Sequence, residues 1–92
     1  MYPVYFEVKQ NMSDNDFIMV RKMTDFLKRF GRNNYEVFAS DDELLIKFYL
    51  EKGEPEVWIS TEYYAVVFDD YSGFEQLTLD ELIEKFEAWE KA

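Results

Sequence analysis

"YEVFASDDELLIKFYLEKGEPEVWISTEYYAVVFDD", residues 35–70, decides the fold. β-Branched and aromatic residues recur in four short runs, Tyr35–Ala39, Glu43–Glu51, Glu56–Ser60 and Tyr63–Asp69. Between them, "ASDD" and "EKGEPE" supply the Ser, Asp, Gly and Pro that chain reversals favour. Strands joined by connections this short lie beside their neighbours, so the segment predicts an antiparallel meander.

Working outward, each flank carries a helix signal. On the N-terminal side, "NMSDNDF" places Ser13 as an N-cap, with Asp14 and Asp16 in the first turn, where the helix dipole favours negative charge. Phe17, Val20, Met23, Leu27 and Phe30 then recur at helical spacing and predict the buried stripe, and Gly31 stands where a helix ends. On the C-terminal side, "LTLDEL" is a capping box, with Thr78 as the cap and Glu81 three positions on. Leu79, Leu82, Ile83, Phe86 and Trp89 form the apolar stripe of that closing helix. Ahead of everything, "MYPVYFEVK" alternates Val4, Phe6 and Val8 against Tyr5, Glu7 and Lys9, the period of a strand. The predicted order is β-α-β-β-β-β-α: an α+β fold, a β-meander packed against two helices as a single two-layer domain over residues 1–92.

Composition narrows the chemistry. Hydrophobic residues make up 48% of the 92 and aromatics 20%, core material that a disordered chain lacks. Cysteine and histidine are both absent, which removes disulfides, thiolates, the commonest general base and the usual transition-metal ligand. No run approaches membrane-spanning length and no secretory leader is evident, so a soluble, cytoplasmic protein is expected.

Asp69 and Asp70, at the end of a predicted strand, invite a Mg²⁺ reading, with Glu62 or Asp41 as companions. Their spacing matches no EF-hand, no Lys follows at a nuclease-like interval, and twenty acids make an adjacent pair unremarkable by chance. Ser13, Ser40, Ser60 and Ser72 lack an activating base, and neither SxxK nor GxSxG occurs. With three glycines in all there is no phosphate-cradling loop. No catalytic residue, metal or cofactor is expected, and no enzymatic activity.

What stands out is charge. Residues 1–33 hold six bases and four acids, net +2, while residues 34–92 hold four bases and sixteen acids, net −12. Direct nucleic-acid binding is disfavoured, since phosphate contacts need clustered Lys and Arg. A basic protein surface is the favoured partner. Acids on alternate strand positions fall about 6.7 Å apart, and helix neighbours about 5–6 Å apart, intervals close to those of successive phosphates. The chain is therefore expected to be a small acidic inhibitor, a nucleic-acid mimic that occupies the basic surface of a nuclease or other nucleic-acid-handling complex. Phage proteins that block restriction or CRISPR effectors, and acidic immunity proteins for nuclease toxins, are of this physical type. The expected contacts are Asp41, Asp42, Glu43, Glu54, Glu56, Asp69, Asp70 and Tyr71, with Glu84 and Glu87 on the last helix.

Two further surfaces qualify that reading. Tyr5, Phe38, Tyr49, Trp58 and Tyr64 lie out of phase with the aliphatic strand positions, an aromatic platform rimmed by Glu7, Lys9, Glu36, Lys47 and Glu51. If it is open, the chain is instead an interaction or assembly module, a homodimer among the options, with the acids only solubilising. The first helix keeps Arg21, Lys22, Lys28 and Arg29 with Asp25 on its outward side, beside an exposed Ile18, a face suited to acidic loops or to another copy.

Overall fold

Both helix starts form the reciprocal caps that their sequences encode. In a computed structural model that describes residues 13–40, 42–68 and 75–92, helix α1 spans Asp14–Phe30 and helix α2 spans Leu79–Lys91. Ser13 Oγ accepts from the Asp16 amide at 3.2 Å, while Asp16 accepts from the Ser13 amide at 3.1 Å. Thr78 and Glu81 repeat the arrangement at α2, at 3.2 and 2.8 Å. At the other end of α1, Gly31 adopts φ 74°, the left-handed region that only glycine enters without strain, and its amide closes on Leu27 O at 3.0 Å.

Between the helices run β1 (Tyr35–Ala39), β2 (Leu44–Phe48), β3 (Glu56–Ile59) and β4 (Tyr64–Val67). They form a four-stranded antiparallel sheet in the order β1-β2-β3-β4, the predicted meander, with β1 at its expected bounds, β2 and β4 shorter at both ends and β3 ending one residue early. The predicted first strand at Val4–Val8 lies outside the described residues. Both helices cover one face. Val57, Ile59, Leu44, Ile46 and Phe48 meet Met19, Met23, Phe26 and Phe30 from α1 and Leu82, Ile83 and Phe86 from α2. Five rings join at the centre: Phe30 lies 4.2 Å from Phe86, and Phe48 meets Phe26, Phe30, Phe86 and Tyr35 at 5.4–6.0 Å. Edge-to-face pairs at such distances add to the gain from burial.

Two expectations about phase are corrected. The buried stripe of α1 is Met19, Met23, Phe26 and Phe30, not one that begins at Phe17, which is 60% exposed; Val20 and Leu27 are only partly buried. Two helical stripes interleave in this sequence and share Met23 and Phe30. The stacking of Phe26 on Phe30, at 5.3 Å, selects the one that brings both rings onto Phe48. In β4, Tyr64 lies on the helix-covered face and Ala65 on the opposite one. The tight turn between β3 and β4 pairs Ile59 with Tyr64, and that register carries Tyr64 to the face of Ile59. All four β4 residues are buried, so no alternation existed for the sequence to display.

Candidate acidic site

The meander sorts its connections between two ends. The β1–β2 and β3–β4 turns share one end, and the β2–β3 turn lies at the other, because successive strands reverse direction. At the first end the two turns and the start of α1 enclose a groove of about 390 Å³ lined by Asp42, Glu43, Glu62, Tyr63, Asn15 and Met19, with Ser60 and Thr61.

Each wall of this groove has a local cause. Ser60 Oγ accepts from the amides of Glu62 and Tyr63, at 3.1 and 3.2 Å, which folds the turn and projects the exposed Glu62 outward. The Lys22 ammonium reaches over from α1 and donates to the carbonyls of Ser60 and Tyr63, at 2.7 and 3.2 Å. It also lies 4.5 Å from the centre of the Tyr64 ring, a cation–π contact. Burial lowers the Lys22 pKa. Across the groove the Tyr63 hydroxyl donates to Glu43 at 3.1 Å. Burial first, then that bond and the charges of Glu43 and Glu62, raise the Tyr63 pKa, against a lowering contact from Ser60. Ser60 is thus a turn-former, Ser13 a cap, and Ser40 a donor to Glu43 O at 3.3 Å.

The expected contacts do not form one surface. Asp42 and Glu43 stand at the groove, joined by Glu62, which the sequence suggested only as a metal companion. Glu54 and Glu56 belong to the opposite end, where Glu54 lies 3.7 Å from Lys47 and Glu56 pairs with Lys47 across the strands. Glu84 and Glu87 are exposed on α2. Asp41, Asp69, Asp70 and Tyr71 lie outside the described residues, as does Ser72. Among the described residues, no group of three or more His, Cys, Asp or Glu is placed to hold a metal ion.

Bases are largely committed within the chain. Arg29 pairs with Asp80 and Arg32 with Glu90, both at 2.7 Å, and Lys85 with Glu75 at 3.0 Å. Lys52 donates to the carbonyls of Trp89 and Ala92 at the end of α2. That placement also suits the negative end of the helix dipole. Among the described residues, no base lines the groove.

The aromatic platform is smaller than expected. Tyr64 has moved to the core, and Tyr5 lies outside the described residues. Tyr49 and Trp58 are half-buried, the Tyr49 hydroxyl donating to Glu36, and Phe38 alone of the described set is largely exposed, at 49%. On that same face Ala65 and Val67 are buried, so its β4 side is not an open sheet surface. Among the described residues, no helix is long and apolar enough to cross a membrane. Comparison with protein-family models, curated proteins and solved structures gives no match.

Proposed function

We propose that the chain is an acidic binding protein whose groove end, with Asp42, Glu43 and Glu62, occupies the basic surface of a protein that handles nucleic acid. The observation that carries this reading is the excess of negative charge at the groove: among the described residues three carboxylates line it and no base does, Lys22 nearby being turned onto the Ser60 and Tyr63 carbonyls. Elsewhere Arg29, Arg32 and Lys85 are drawn into ion pairs and Lys52 onto carbonyls of the same chain. Such a surface attracts a basic partner over a Debye length of about 8 Å at physiological salt and speeds encounter. Tyr63, beside the acids, offers apolar area for contact once the encounter has formed.

The test is competition. Partners retained from a lysate and released by moderate salt would be purified and mixed with the chain and with duplex or single-stranded nucleic acid. Under this reading nucleic acid and the chain displace one another. A partner that holds both at once, or one that is indifferent to Asp42→Asn/Glu62→Gln, counts against it.

A further inference from the structure

The two edges of the sheet are unlike. At β4, Tyr64 exchanges both backbone bonds with Leu77, at 3.0 and 2.7 Å, and all four strand residues are buried. At β1 the outer side is open. Asn34 O accepts from the Tyr49 amide at 2.8 Å and the Ser40 amide donates to Glu43 O at 3.0 Å, which fixes the phase of the ladder to β2. Tyr35, Val37 and Ala39 therefore turn their N–H and C=O groups away from β2. Among the described residues β1 pairs with β2 alone, so no strand lies beside those groups. Ala39 is exposed, and so is Phe38 beside it. The devices that blunt an edge are missing: the strand has no lysine, proline or bulge, and its register runs unbroken from Tyr35 to Ala39. Its one charge, Glu36, accepts from the Tyr49 hydroxyl and stands opposite Lys47.

We infer that the open β1 edge pairs with the same edge of a second copy, β1 against β1, making one continuous sheet. A two-fold axis through Val37 sets the strands antiparallel and closes the contact on itself. Tyr35 then meets Ala39 of the second copy and Val37 meets its own counterpart, each pair exchanging both N–H···O bonds. This is the antiparallel register that matches the outward groups over the whole strand. Between those pairs Glu36 faces Phe38 of the second copy, so no acid meets an acid, whereas an axis at Glu36 would oppose the two carboxylates. The Phe38 side chains, 49% exposed in one copy, become diagonal neighbours about 7–8 Å apart, within aromatic reach. Charge argues for a copy rather than a basic partner at this edge, since its single acid offers such a partner little to hold. The antiparallel arrangement also sends the two Asp42 turns to opposite ends of the joined sheet. At roughly 3.4 Å per residue they lie about 30 Å apart, more than three times the Debye length of about 8 Å, so the grooves of two chains of charge −10 are screened from each other. The inference stands apart from the role proposed for the groove, which lies beyond the paired residues.

Sedimentation equilibrium at high micromolar concentration tests it with no target present. The chain is expected at twice its 11.2 kDa monomer mass. Amide exchange should slow at Tyr35, Val37 and Ala39 together as the concentration is raised. Ala39→Pro removes an outward donor and no bond to β2, so it should be monomeric with unchanged circular dichroism. Phe38→Glu and Phe38→Lys, at an exposed position, read the register independently of that variant. The first sets a carboxylate against Glu36 of the other copy twice and should weaken self-association at least about tenfold. The second sets an ammonium there and should leave it as tight as in the parent or tighter. A monomeric parent, a dimer without the three protected amides, a dimeric Ala39→Pro, or two Phe38 variants that behave alike would overturn the inference.

Discussion

Lys22 holds Ser60 from across the two layers: its ammonium donates to the Ser60 carbonyl at 2.7 Å, although 38 residues separate them in the chain. The contact fastens the β3–β4 turn to α1 and so shapes one wall of the acidic groove.

Removing that tie should loosen the turn. Lys22→Met keeps most of the aliphatic packing but leaves the Ser60 carbonyl without this donor. A cost of about 1–2 kcal/mol is expected, toward the lower end for a charged hydrogen bond because the desolvation of the ammonium is relieved at the same time. The urea midpoint should fall with no change in slope. An unaltered midpoint would show that the turn stands without α1.

Alkaline pH should act through Tyr64. Its hydroxyl donates to Lys22 O at 3.0 Å. Burial, and secondarily the charge of Asp25, push its pKa up to about 12, with Arg29 pulling the other way. In the unfolded chain a tyrosine ionises near about 10. The folded pKa being the higher, the contribution of Tyr64 is complete below the unfolded value and is lost as pH rises through about 12. Tyr49 and Tyr63 are raised as well, so Tyr64→Phe should flatten only part of the alkaline decline. Urea unfolding at stepped pH across that window measures the slope. If the two slopes coincide, Tyr64 does not titrate with folding.

Core substitutions should rank by the observed stripe. Phe86 and Phe26 are fully buried, so Phe86→Ala and Phe26→Ala should each cost about 3–5 kcal/mol, most of the stability of a domain this small. Leu27→Ala, at a partly buried position, should cost less than Phe26→Ala, and Phe17→Ala should barely change the melting temperature. The reverse order would mean that α1 is rotated toward the stripe first expected.

How much of this was legible depended on whether a feature is local. The caps at Ser13 and Thr78 and the stop at Gly31 are written in adjacent residues, and the structure forms all three. The meander was legible too, since short turns leave few other topologies. Phase was harder. The choice between Phe26 and Leu27 depends on where Phe48 and Phe86 sit, and Tyr64 follows the turn rather than its own strand. For the candidate site, acidity was plain in the sequence but grouping was not: Glu62 joins Asp42 only because two turns end on the same side of the sheet.

That separation yields the sharpest test of the proposed function. Asp42 and Glu62 stand at one end of the sheet, and Glu54 and Glu56 at the other. A five-residue strand spans about 16 Å at roughly 3.3 Å per residue. This is about twice the Debye length of about 8 Å at physiological salt, so the two ends act as nearly independent charges. A single basic patch cannot engage both equally. Asp42→Asn/Glu62→Gln should therefore slow association with the target several-fold at low salt, the deficit shrinking as salt is added. Glu54→Gln/Glu56→Gln should change the rate less than about twofold, because Lys47 already offsets those carboxylates. Stopped-flow or surface-binding kinetics at two salt concentrations would separate the outcomes. Equal slowing by both pairs would mean that the target senses only net charge, and the groove would lose its special place.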